Sequence, residues 1–213
     1  MSETVSSTSR KRGRPTAQER EERRDQILDA AVALFVSNGY GQVTVDEIAA
    51  AARVTKRTIY TYFGDKAEVF TAAIERFRAR DLANHGVTAE SLLETAARLV
   101  FVLHSDNAVG LHRLMIGEAA QFPELASGFY SSGPRGYVAL LAQHLSPASG
   151  LVEVKTDAEV LALAEALFGL LLGEPHRRRL LGLAPAPTVA AARAHAEQVI
   201  ALLGLTERSR DDG

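Results

Sequence analysis

The sequence predicts an all-α fold of about nine helices in two domains. Apolar residues recur at intervals of three and four along most of the 213 residues, which is the pattern of amphipathic helices. No segment has the convincing alternation that predicts a β-strand. Over residues 44–66, two short helical patterns meet at a tight turn, as in a helix-turn-helix. The hydrophobic fraction of 46% is ample for a buried core.

The first 15 residues are predicted to form a disordered basic arm, because they are rich in Ser and Thr and lack periodic apolar residues. Within this arm, Arg12-Gly13-Arg14-Pro15 resembles the core of an AT-hook, a segment that lies in the narrow minor groove of A/T-rich DNA. The narrow groove concentrates negative potential, which attracts the side chains of Arg12 and Arg14. The alternative is that the arm is a solubilising tail.

Two helix starts are marked by the capping-box pattern. Thr16 is followed three residues later by Glu19, so a helix is expected to run from about residue 17 to residue 37. Thr44 and Glu47 form the same pattern at the start of the first helix of the helix-turn-helix.

The second helix of the motif is predicted from residue size and hydrogen-bonding capacity. Ala49 and Ala52 are small enough to let this helix cross the first one closely. Ile59 and Phe63 are four residues apart and are expected to pack inward. The helix begins with residues that donate hydrogen bonds from an end whose dipole favours anions, namely Thr55, Lys56, Arg57 and Thr58. Such an end suits the DNA major groove.

This stretch resembles the TetR family of bacterial transcriptional regulators over about residues 16–80. The resemblance is carried by Thr44, Thr55, Lys56, Ile59, Tyr60, Phe63 and Lys66. It implies phosphate contacts for Thr44, in addition to its capping role, and for Tyr60, whose alternative is a place in the core. The sequence departs from the family at Arg53, where the family usually has Gly. If the backbone there is left-handed, a side chain costs roughly 1 to 2 kcal/mol.

The outward residues of the motif are the candidate DNA contacts. Arg57 is the best candidate for a bidentate contact with a base, with guanine as the expected partner. Lys66 lies in the first turn of the following helix, where its charge opposes the helix dipole. This position favours a phosphate partner over a solvated lysine. The candidates are Thr44, Thr55, Lys56, Arg57, Thr58, Tyr60, Thr61, Tyr62 and Lys66, together with Arg12 and Arg14 of the arm.

A linking helix is expected within residues 65–86, followed by a C-terminal domain over 87–205 and a disordered tail over 206–213. Helical patterns in the C-terminal domain cover about 89–103, 108–120, 123–144, 157–172 and 188–203. Residues 113–134 resemble, less specifically, the ligand domain of a subgroup of the same family. In this family the linking helix joins the two domains, which implies that its movement changes the separation of the two DNA-binding motifs of a dimer.

A small-molecule pocket is expected between the middle helices, lined by apolar and aromatic groups with a few polar ones. The candidate lining residues are Phe101, His104, His112, Met115, Phe122, Phe129, Tyr130, Tyr137 and Phe168. For any one of them, a plain core or surface position is the more common outcome.

The segment 157–172 is almost wholly apolar, so it has no polar face to expose. A membrane span needs roughly 20 apolar residues, and this segment is shorter and contains Glu159 and Glu165. It is therefore expected to be buried both in its own domain and against a second subunit. The last helix has a seam of small residues that would allow close helix packing. The expected homodimer interface comprises Leu163, Leu167, Leu170, Leu171, Ala192, Ala196, Val199 and Leu203.

Several other classes of protein are disfavoured by composition and motifs. The chain has no Cys, which excludes disulfides and thiolate sites, and its start lacks the apolar core of a signal peptide, so a cytoplasmic location is expected. His112, Glu118 and residues 175–179 lack metal-ligand spacing, and no phosphate loop or nucleophile elbow occurs. We therefore expect no metal, no cofactor and no catalysis, and interpret the Arg run 177–179 as a charged loop.

The sequence thus favours a ligand-responsive transcriptional repressor that binds a palindromic double-stranded DNA operator as a homodimer, with residues 16–64 as the DNA-binding domain and a small molecule of unknown identity as the effector. Charge is distributed accordingly. Through residue 80 there are 14 Lys and Arg against 11 Asp and Glu, whereas the remainder has 10 against 15. One alternative is an architectural protein that uses the basic arm on A/T-rich DNA without an effector. Another is a helical carrier or enzyme with a vestigial helix-turn-helix, which the hydrogen-bond donors at 55–58 disfavour.

Overall fold

The computed structural model describes residues 16–83, 91–145 and 156–205, with the backbone alone over 77–83. These residues are helical almost throughout, and no β-strand occurs among them, so the all-α prediction is confirmed. No helix in these ranges is long and apolar enough to cross a bilayer. The predicted arm with Arg12 and Arg14, and the predicted tail 206–213, lie outside the described residues.

The described residues form ten helices. They are α1 (Ala17–Asn38), α2 (Val45–Ala51), α3 (Lys56–Phe63), α4 (Lys66–Ala83), α5 (Leu92–Leu103), α6 (Asp106–Glu118), α7 (Pro123–Ser132), α8 (Pro134–His144), α9 (Asp157–Leu180) and α10 (Val189–Leu202).

Both predicted capping boxes form. The Thr16 hydroxyl accepts a hydrogen bond from the backbone N–H of Glu19 at 3.1 Å, and the Glu19 carboxylate accepts one from the backbone N–H of Thr16 at 2.7 Å. Thr44 and Glu47 exchange the same two bonds at 3.2 and 2.7 Å. Because these bonds satisfy N–H groups that a helix start leaves unpaired, four local residues define where α1 and α2 begin.

Two glycines change the predicted course of the C-terminal helices. At Gly133 the segment 123–144, predicted as one helix, divides into α7 and α8, and Pro134 takes the first position of α8, where its missing N–H costs nothing. At Gly173, which has φ 50° and ψ −150°, α9 is kinked but resumes and continues past Pro175 to Leu180. The interpretation of 177–179 as a charged loop is therefore wrong: these residues form the last turns of α9.

The apolar side chains form two clusters. The first cluster combines residues of α1 to α4 with Leu111 and Met115 of α6 and Leu125 of α7. The second cluster combines residues of α5, α8, α9 and α10. Helices α6 and α7 therefore pack on α1 and α4, so the first cluster contains residues from both sides of the boundary predicted near residue 86.

Arg76 fixes α4 against α1. Its Nη1 donates to the backbone oxygen of Asp25 at 2.5 Å and to Asp25 Oδ1 at 3.1 Å, and its Nη2 pairs with the carboxylate of Asp29. The Arg76 side chain is almost fully buried. Since breaking a buried charge pair leaves an uncompensated charge, these bonds hold the two helices in one alignment.

Candidate DNA interface and effector pocket

The first turn of α3 lies on the surface of the helix-turn-helix. Thr55 is its N-cap, because the Thr55 hydroxyl accepts a hydrogen bond from the backbone N–H of Thr58 at 3.2 Å and lies 2.8 Å from the Thr58 hydroxyl. The Lys56 ammonium donates to Asp46 Oδ2 at 2.9 Å, and this bond raises the pKa of Lys56. The side chains of Thr55, Lys56 and Thr58 thus have partners within the protein, and their contacts with DNA stay a prediction.

Arg57, Tyr60 and Thr61 form the outward surface of α3. Arg57 is exposed, and its guanidinium has no hydrogen bond or ion pair with any residue that the structure describes. Tyr60 is 47% exposed, which rules out the alternative that it is a core residue. The Thr61 hydroxyl donates to the backbone oxygen of Arg57 at 2.8 Å. Tyr62 is half-buried against the first cluster and is less available than the other three.

The turn between α2 and α3 has a left-handed residue. Arg53 has φ 53°, and among the described residues it is the one non-glycine with a positive φ. The next residue closes the turn, because the backbone N–H of Val54 donates to the oxygen of Ala49 at 2.9 Å. The backbone at Arg53 is therefore left-handed, and its side chain destabilises this conformation by roughly 1 to 2 kcal/mol relative to glycine.

Lys66 has a role within the protein that the sequence did not reveal. Its Nζ donates to the backbone oxygens of Tyr40 and Val43, each at 2.8 Å, and lies 4.3 Å from the centroid of the Tyr40 ring. Partial burial lowers the pKa of Lys66, and the charges of Glu118 and Glu47 oppose this effect. The alternative of a freely solvated lysine is wrong, and the proposed phosphate contact would have to use the remaining N–H.

Helix α6 contacts the DNA-binding end at two points. A Cβ placed on Gly110 would lie 2.9 Å from Val36 Cγ1, so the backbone of α6 packs directly on α1. At the other end of α6, Glu118 Oε1 accepts a hydrogen bond from the backbone N–H of Gly41 at 3.4 Å. A displacement of α6 would therefore be felt by the loop that precedes α2.

A cavity of about 70 Å³, partly open to solvent, lies between the end of α5 and helices α4, α6, α7, α8 and α9. This volume is smaller than that of most small-molecule sites, so a ligand of ordinary size would have to displace the walls. Four predicted candidates line it: His112, Phe129, Tyr137 and Phe168. The other lining residues are Ile74, Leu103, Ala108, Leu111, Gly133, Pro134, Leu172 and His176.

The other five predicted pocket residues do not line this pocket. Phe101 and Tyr130 are exposed on the surface of the subunit. Met115 is buried in the first cluster, and Phe122 packs against the same cluster. His104 is buried behind the pocket wall, with its ring centroid 5.1 Å from that of His176. The prediction that these five residues line the pocket is therefore wrong. The spacing of residues along a helix shows which residues share a face but not which neighbouring helix that face contacts.

His176 of α9 lies next to two other histidines, His104 just after the end of α5 and His112 of α6. His112 Nδ1 is 2.9 Å from His176 Nε2, which is a hydrogen-bonding distance. Nδ1 of His104 donates to the backbone oxygen of Val100 at 2.7 Å. Burial lowers the pKa of all three, and for His176 it acts with the neighbouring histidines and Arg179 to lower the pKa to about 4. His176 is a pocket residue that the sequence analysis missed, because Gly173 and Pro175 indicated the end of the helix before it.

Arg179 joins the end of α9 to the start of α6. The residue is 7% exposed, and its Nε, Nη1 and Nη2 donate respectively to the backbone oxygens of His104 and Ala184 and to Asp106 Oδ1, at 2.9, 2.8 and 2.5 Å. Arg113 of α6 in turn donates to the backbone oxygen of Arg179 at 2.6 Å. The helices on two sides of the pocket are thus fixed together by buried polar contacts.

The predicted dimer residues mostly pack inside the subunit. Leu167, Leu171, Ala192, Ala196 and Val199 are buried in the second cluster, so their assignment to a subunit interface is wrong. Leu163 and Leu203 are half-buried against the same cluster. Of the predicted set, Leu170 alone is exposed, at 37%. The small residues of α10 belong to the core that this helix shares with α5. They allow close packing against α5 in the same way that they would against a helix of a second subunit.

The geometry offers no metal centre in the part of the chain that is described, where no three His, Asp or Glu side chains are arranged as ligands. The exposed face of α3 and the apolar pocket are the candidate sites for DNA and for a small molecule.

Known proteins resemble this chain at both ends. Residues 27–73 match the family model of bacterial regulatory proteins of the tetR family, and residues 90–203 match that of the C-terminal domain of AefR-like transcriptional repressors. The transcriptional regulator SrpR of Pseudomonas putida is 44% identical over 61 residues, which cover 29% of this chain and 29% of that relative. The chain thus aligns with less than a third of the length of this curated relative.

Solved structures extend the likeness over the whole fold. A TetR-family transcriptional regulator from Mesorhizobium loti has a TM-score of 0.66 and 25% identity, covering 89% of this chain and 97% of that one. The flavonoid-responsive regulator FrrA has a TM-score of 0.67 and 27% identity, covering 86% of this chain and 95% of that one. Since the C-terminal family model alone matches more than half of the 213 residues, the chain belongs to the TetR family of bacterial transcriptional regulators.

Proposed function

We propose that the protein is a homodimeric repressor that binds a palindromic operator through α3 and is released when a small molecule occupies the pocket. The observation that carries the proposal is the exposed face of α3, where the guanidinium of Arg57 has no partner among the described residues and Tyr60 is half-exposed. An uncommitted guanidinium on a rigid helix is suited to a bidentate contact with guanine in the major groove. The matched repressor family favours repression over activation.

The pocket is suited to control DNA binding because its walls belong to both ends of the subunit. Ile74 lies on α4, and Leu111 on α6 lines the pocket while also belonging to the first cluster. A ligand that prefers one position of α4 and α6 would shift the population toward that position. A coupling of roughly 1 to 3 kcal/mol changes operator affinity about 5- to 150-fold.

The contacts of α6 would carry this shift to the DNA-binding end. A displaced α6 moves Gly110 against Val36 and Glu118 against Gly41. Both contacts border the loop that positions α2. The flavonoid-responsive regulator among the structural relatives supports a small-molecule effector for this fold.

The proposed dimer uses the outward faces of the last two helices in place of the residues first predicted. On α9, Leu161 and Leu170 are 47% and 37% exposed at the two edges of the outward surface, and Ala162, Glu165, Ala166 and Gly169 lie between them. On α10, Val189 and Leu202 are exposed as well. Exposed apolar surface of this kind marks interaction sites.

The dimer is tested by light scattering on a Leu161→Glu, Leu170→Glu double variant. We expect a monomer, since both charges would be buried in the interface. Ile116→Glu is the matched control, because Ile116 is an exposed apolar residue of α6 outside the proposed face. A double variant that remains dimeric would contradict this interface.

The function is tested by fluorescence anisotropy of the protein on duplexes from the region that flanks its own gene, with scrambled duplexes as the control, at two salt concentrations. We expect tight binding to one palindrome, with a preference of roughly a thousandfold or more over scrambled sequence. Weak and equal binding that depends steeply on salt would refute the proposal and would indicate an architectural protein.

A further inference from the structure

The cavity is too small for an ordinary ligand, so at least one of its walls must move if it is to serve as an effector pocket. Its volume is about 70 Å³, whereas small-molecule sites usually measure roughly 300 to 1,000 Å³. Its walls are the end of α5 and helices α4, α6, α7, α8 and α9. The wall that moves should be the one with the fewest buried contacts, because such segments open at the lowest free energy.

Helix α7 is the wall with the fewest anchors. Leu125 is its single buried side chain, whereas α4, α6, α8 and α9 each bury at least three among the described residues. Among the same residues, its one side-chain hydrogen bond to another helix runs from the Ser132 hydroxyl to Glu75 Oε1, at 3.5 Å and in an exposed position. By contrast, Arg76 joins α4 to α1 and Arg179 joins α9 to α6, and both of these side chains are almost fully buried. Displacing α7 therefore breaks the fewest stabilising contacts.

A single residue, Gly133, separates α7 from α8. The backbone N–H of Gly133 donates to the oxygen of Phe129 at 2.9 Å, and the Gly133 oxygen accepts from the N–H of Tyr137 at 3.2 Å. Across residues 123–144, which are all described, no backbone hydrogen bond joins α7 directly to α8. Pro134 has no N–H with which to form one. A rotation at Gly133 would therefore swing α7 without breaking a hydrogen bond between the two helices.

The close contact of α7 with α4 is the one that this rotation would open. A Cβ placed on Gly128 would lie 3.5 Å from Thr71 Oγ1, and one placed on Gly133 would lie 3.7 Å from Ile74 Cγ2. Ile74 of α4 and Phe129 of α7 both line the cavity. Separating the two helices would thus widen the cavity itself.

The other end of α7 contacts the DNA-binding end of the subunit. Phe122 directly precedes α7, and its ring centroid lies 5.0 Å from that of Tyr40. A Cβ placed on Gly41 would lie 3.5 Å from the same Phe122 ring. Tyr40 in turn provides a backbone oxygen to Lys66. A rotation of α7 would therefore move Phe122 against the loop that precedes α2.

We propose that α7 is the movable wall of the pocket: it swings about Gly133 away from α4 to admit an effector larger than the present cavity, and Phe122 carries the movement to Tyr40 and the loop before α2. This inference rests on the proposed function, which makes the cavity an effector pocket, and it adds which wall moves. It also gives the pocket a route to the DNA-binding end that does not pass through α6.

A reversible disulfide between α7 and α4 tests the opening. The chain has no cysteine, so Thr71→Cys, Gly128→Cys introduces the one pair that can form. The distance of 3.5 Å between the Gly128 Cβ position and Thr71 Oγ1, whose place a sulfur would take, is within reach of a disulfide. The probe is N-phenyl-1-naphthylamine, an uncharged dye that is too large for the present cavity and fluoresces in apolar surroundings. Titration of the full chain gives its Kd in the oxidised variant and after reduction with dithiothreitol.

We expect the reduced variant to bind the probe like the wild type, and the oxidised one to bind at least roughly tenfold more weakly, because the disulfide removes the binding-competent state. The matched control is Val36→Cys, Gly110→Cys, whose disulfide would join α1 to α6 across a Cβ–Cβ distance of 3.9 Å and leave α7 free. The control should bind the probe equally in both forms.

Equal binding by the oxidised and reduced forms of the α7–α4 variant overturns the proposal. A control disulfide that weakens binding as much overturns it too, since α7 would then not be the particular wall that moves. A wild type that does not bind the probe has no wall that opens, which is a third contrary result.

Hydrogen exchange of the wild type, followed by mass spectrometry, decides the matter even if the cysteine variants do not fold. We expect the amides of α7 to exchange at least roughly tenfold faster than those of α8, and equal exchange overturns the movable wall. Saturation with the probe should change the exchange of residues 40–44, and folded Phe122→Ala should lose this change. If the change is absent from the wild type or persists in the variant, Phe122 does not carry the movement. Neither measurement includes DNA, so failure of the operator experiment is a separate result.

Discussion

The substitution Lys66→Met tests whether Lys66 stabilises the protein or contacts DNA. The substitution keeps the apolar stem but removes the ammonium that donates to the backbone oxygens of Tyr40 and Val43, both at 2.8 Å. Hydrogen bonds to charged groups contribute roughly 1.5 to 3 kcal/mol each, and the cation–π contact with Tyr40 about 0.5 to 1 kcal/mol. Because Lys66 is only half-buried, water would replace part of these interactions in the variant. We therefore expect the free energy of unfolding to fall by about 2 to 3 kcal/mol.

A loss of this size lowers the melting temperature by roughly 5 to 10 °C in a protein of this length. Circular dichroism at increasing temperature measures it. Lys56→Met is the matched control, because Lys56 is an exposed lysine of the same motif whose single ion pair with Asp46 contributes at most about 1 kcal/mol. If Lys66→Met melts with the wild type yet binds every duplex more weakly with a reduced salt slope, the lysine is a phosphate contact and the structural argument is refuted.

Three further predictions concern the turn, the base contact and the buried histidines. Arg53→Gly should raise the free energy of unfolding by about 1 kcal/mol relative to Arg53→Ala, since it relieves the left-handed strain; equal denaturant midpoints would contradict this. Arg57→Ala should relax the base preference at one operator position, at a cost of about 1 to 3 kcal/mol, and unchanged preference in a binding assay would show that Arg57 reads no base. The pKa of His176 is lowered to about 4 in the native protein, and the pKa values of His104 and His112 are lowered too. The unfolded chain therefore binds more protons than the native one at mildly acidic pH, so the unfolding midpoint should fall as the pH drops from about 6.5 towards 4. The fall should be smaller in folded His176→Asn.

The features that the sequence predicted correctly are those decided by residues close together in the chain. Capping boxes at Thr16 and Thr44 need one hydroxyl and one carboxylate three residues apart, and both form. The inward positions of Ile59 and Phe63 follow from the period of one helix, and both are buried. The strained backbone at Arg53 was also predictable, because the TetR family usually has a glycine at that position.

The pocket was only partly predictable because its walls come from helices that are distant in sequence. The segment that contains Phe122, Met115 and His112 was expected to face the ligand, yet the first two residues pack on the DNA-binding end. Periodicity gives the apolar face of a helix but not the partner of that face. The break at Gly133 had a local signal, because a Gly-Pro pair marks an interruption, and this signal was overlooked.

The end of α9 shows tertiary contacts overriding local signals. Gly173 and Pro175 indicate a helix end, and the sequence alone supports that interpretation. The helix resumes after a kink, and the side chains beyond it gain buried partners: His176 pairs with His112, and Arg179 bonds to Asp106 and to two backbone oxygens. Apart from the bond to the backbone oxygen of Ala184, these contacts join residues more than 60 positions apart in the chain, so no local pattern could indicate them.

The same helix also explains why the interface residues were assigned to the wrong face. A helix that is apolar all round needs two apolar neighbours, and the sequence does not say which face meets which neighbour. Within the subunit, the face with Leu167 and Leu171 is covered by the second cluster, while Leu161 and Leu170 stay exposed. The core thus accounts for only one face of α9. In the proposed dimer, the exposed face would meet a partner helix. Because α9 also carries Phe168 and His176 in the pocket wall, occupancy of the pocket and the arrangement of the two subunits would then be coupled through this helix.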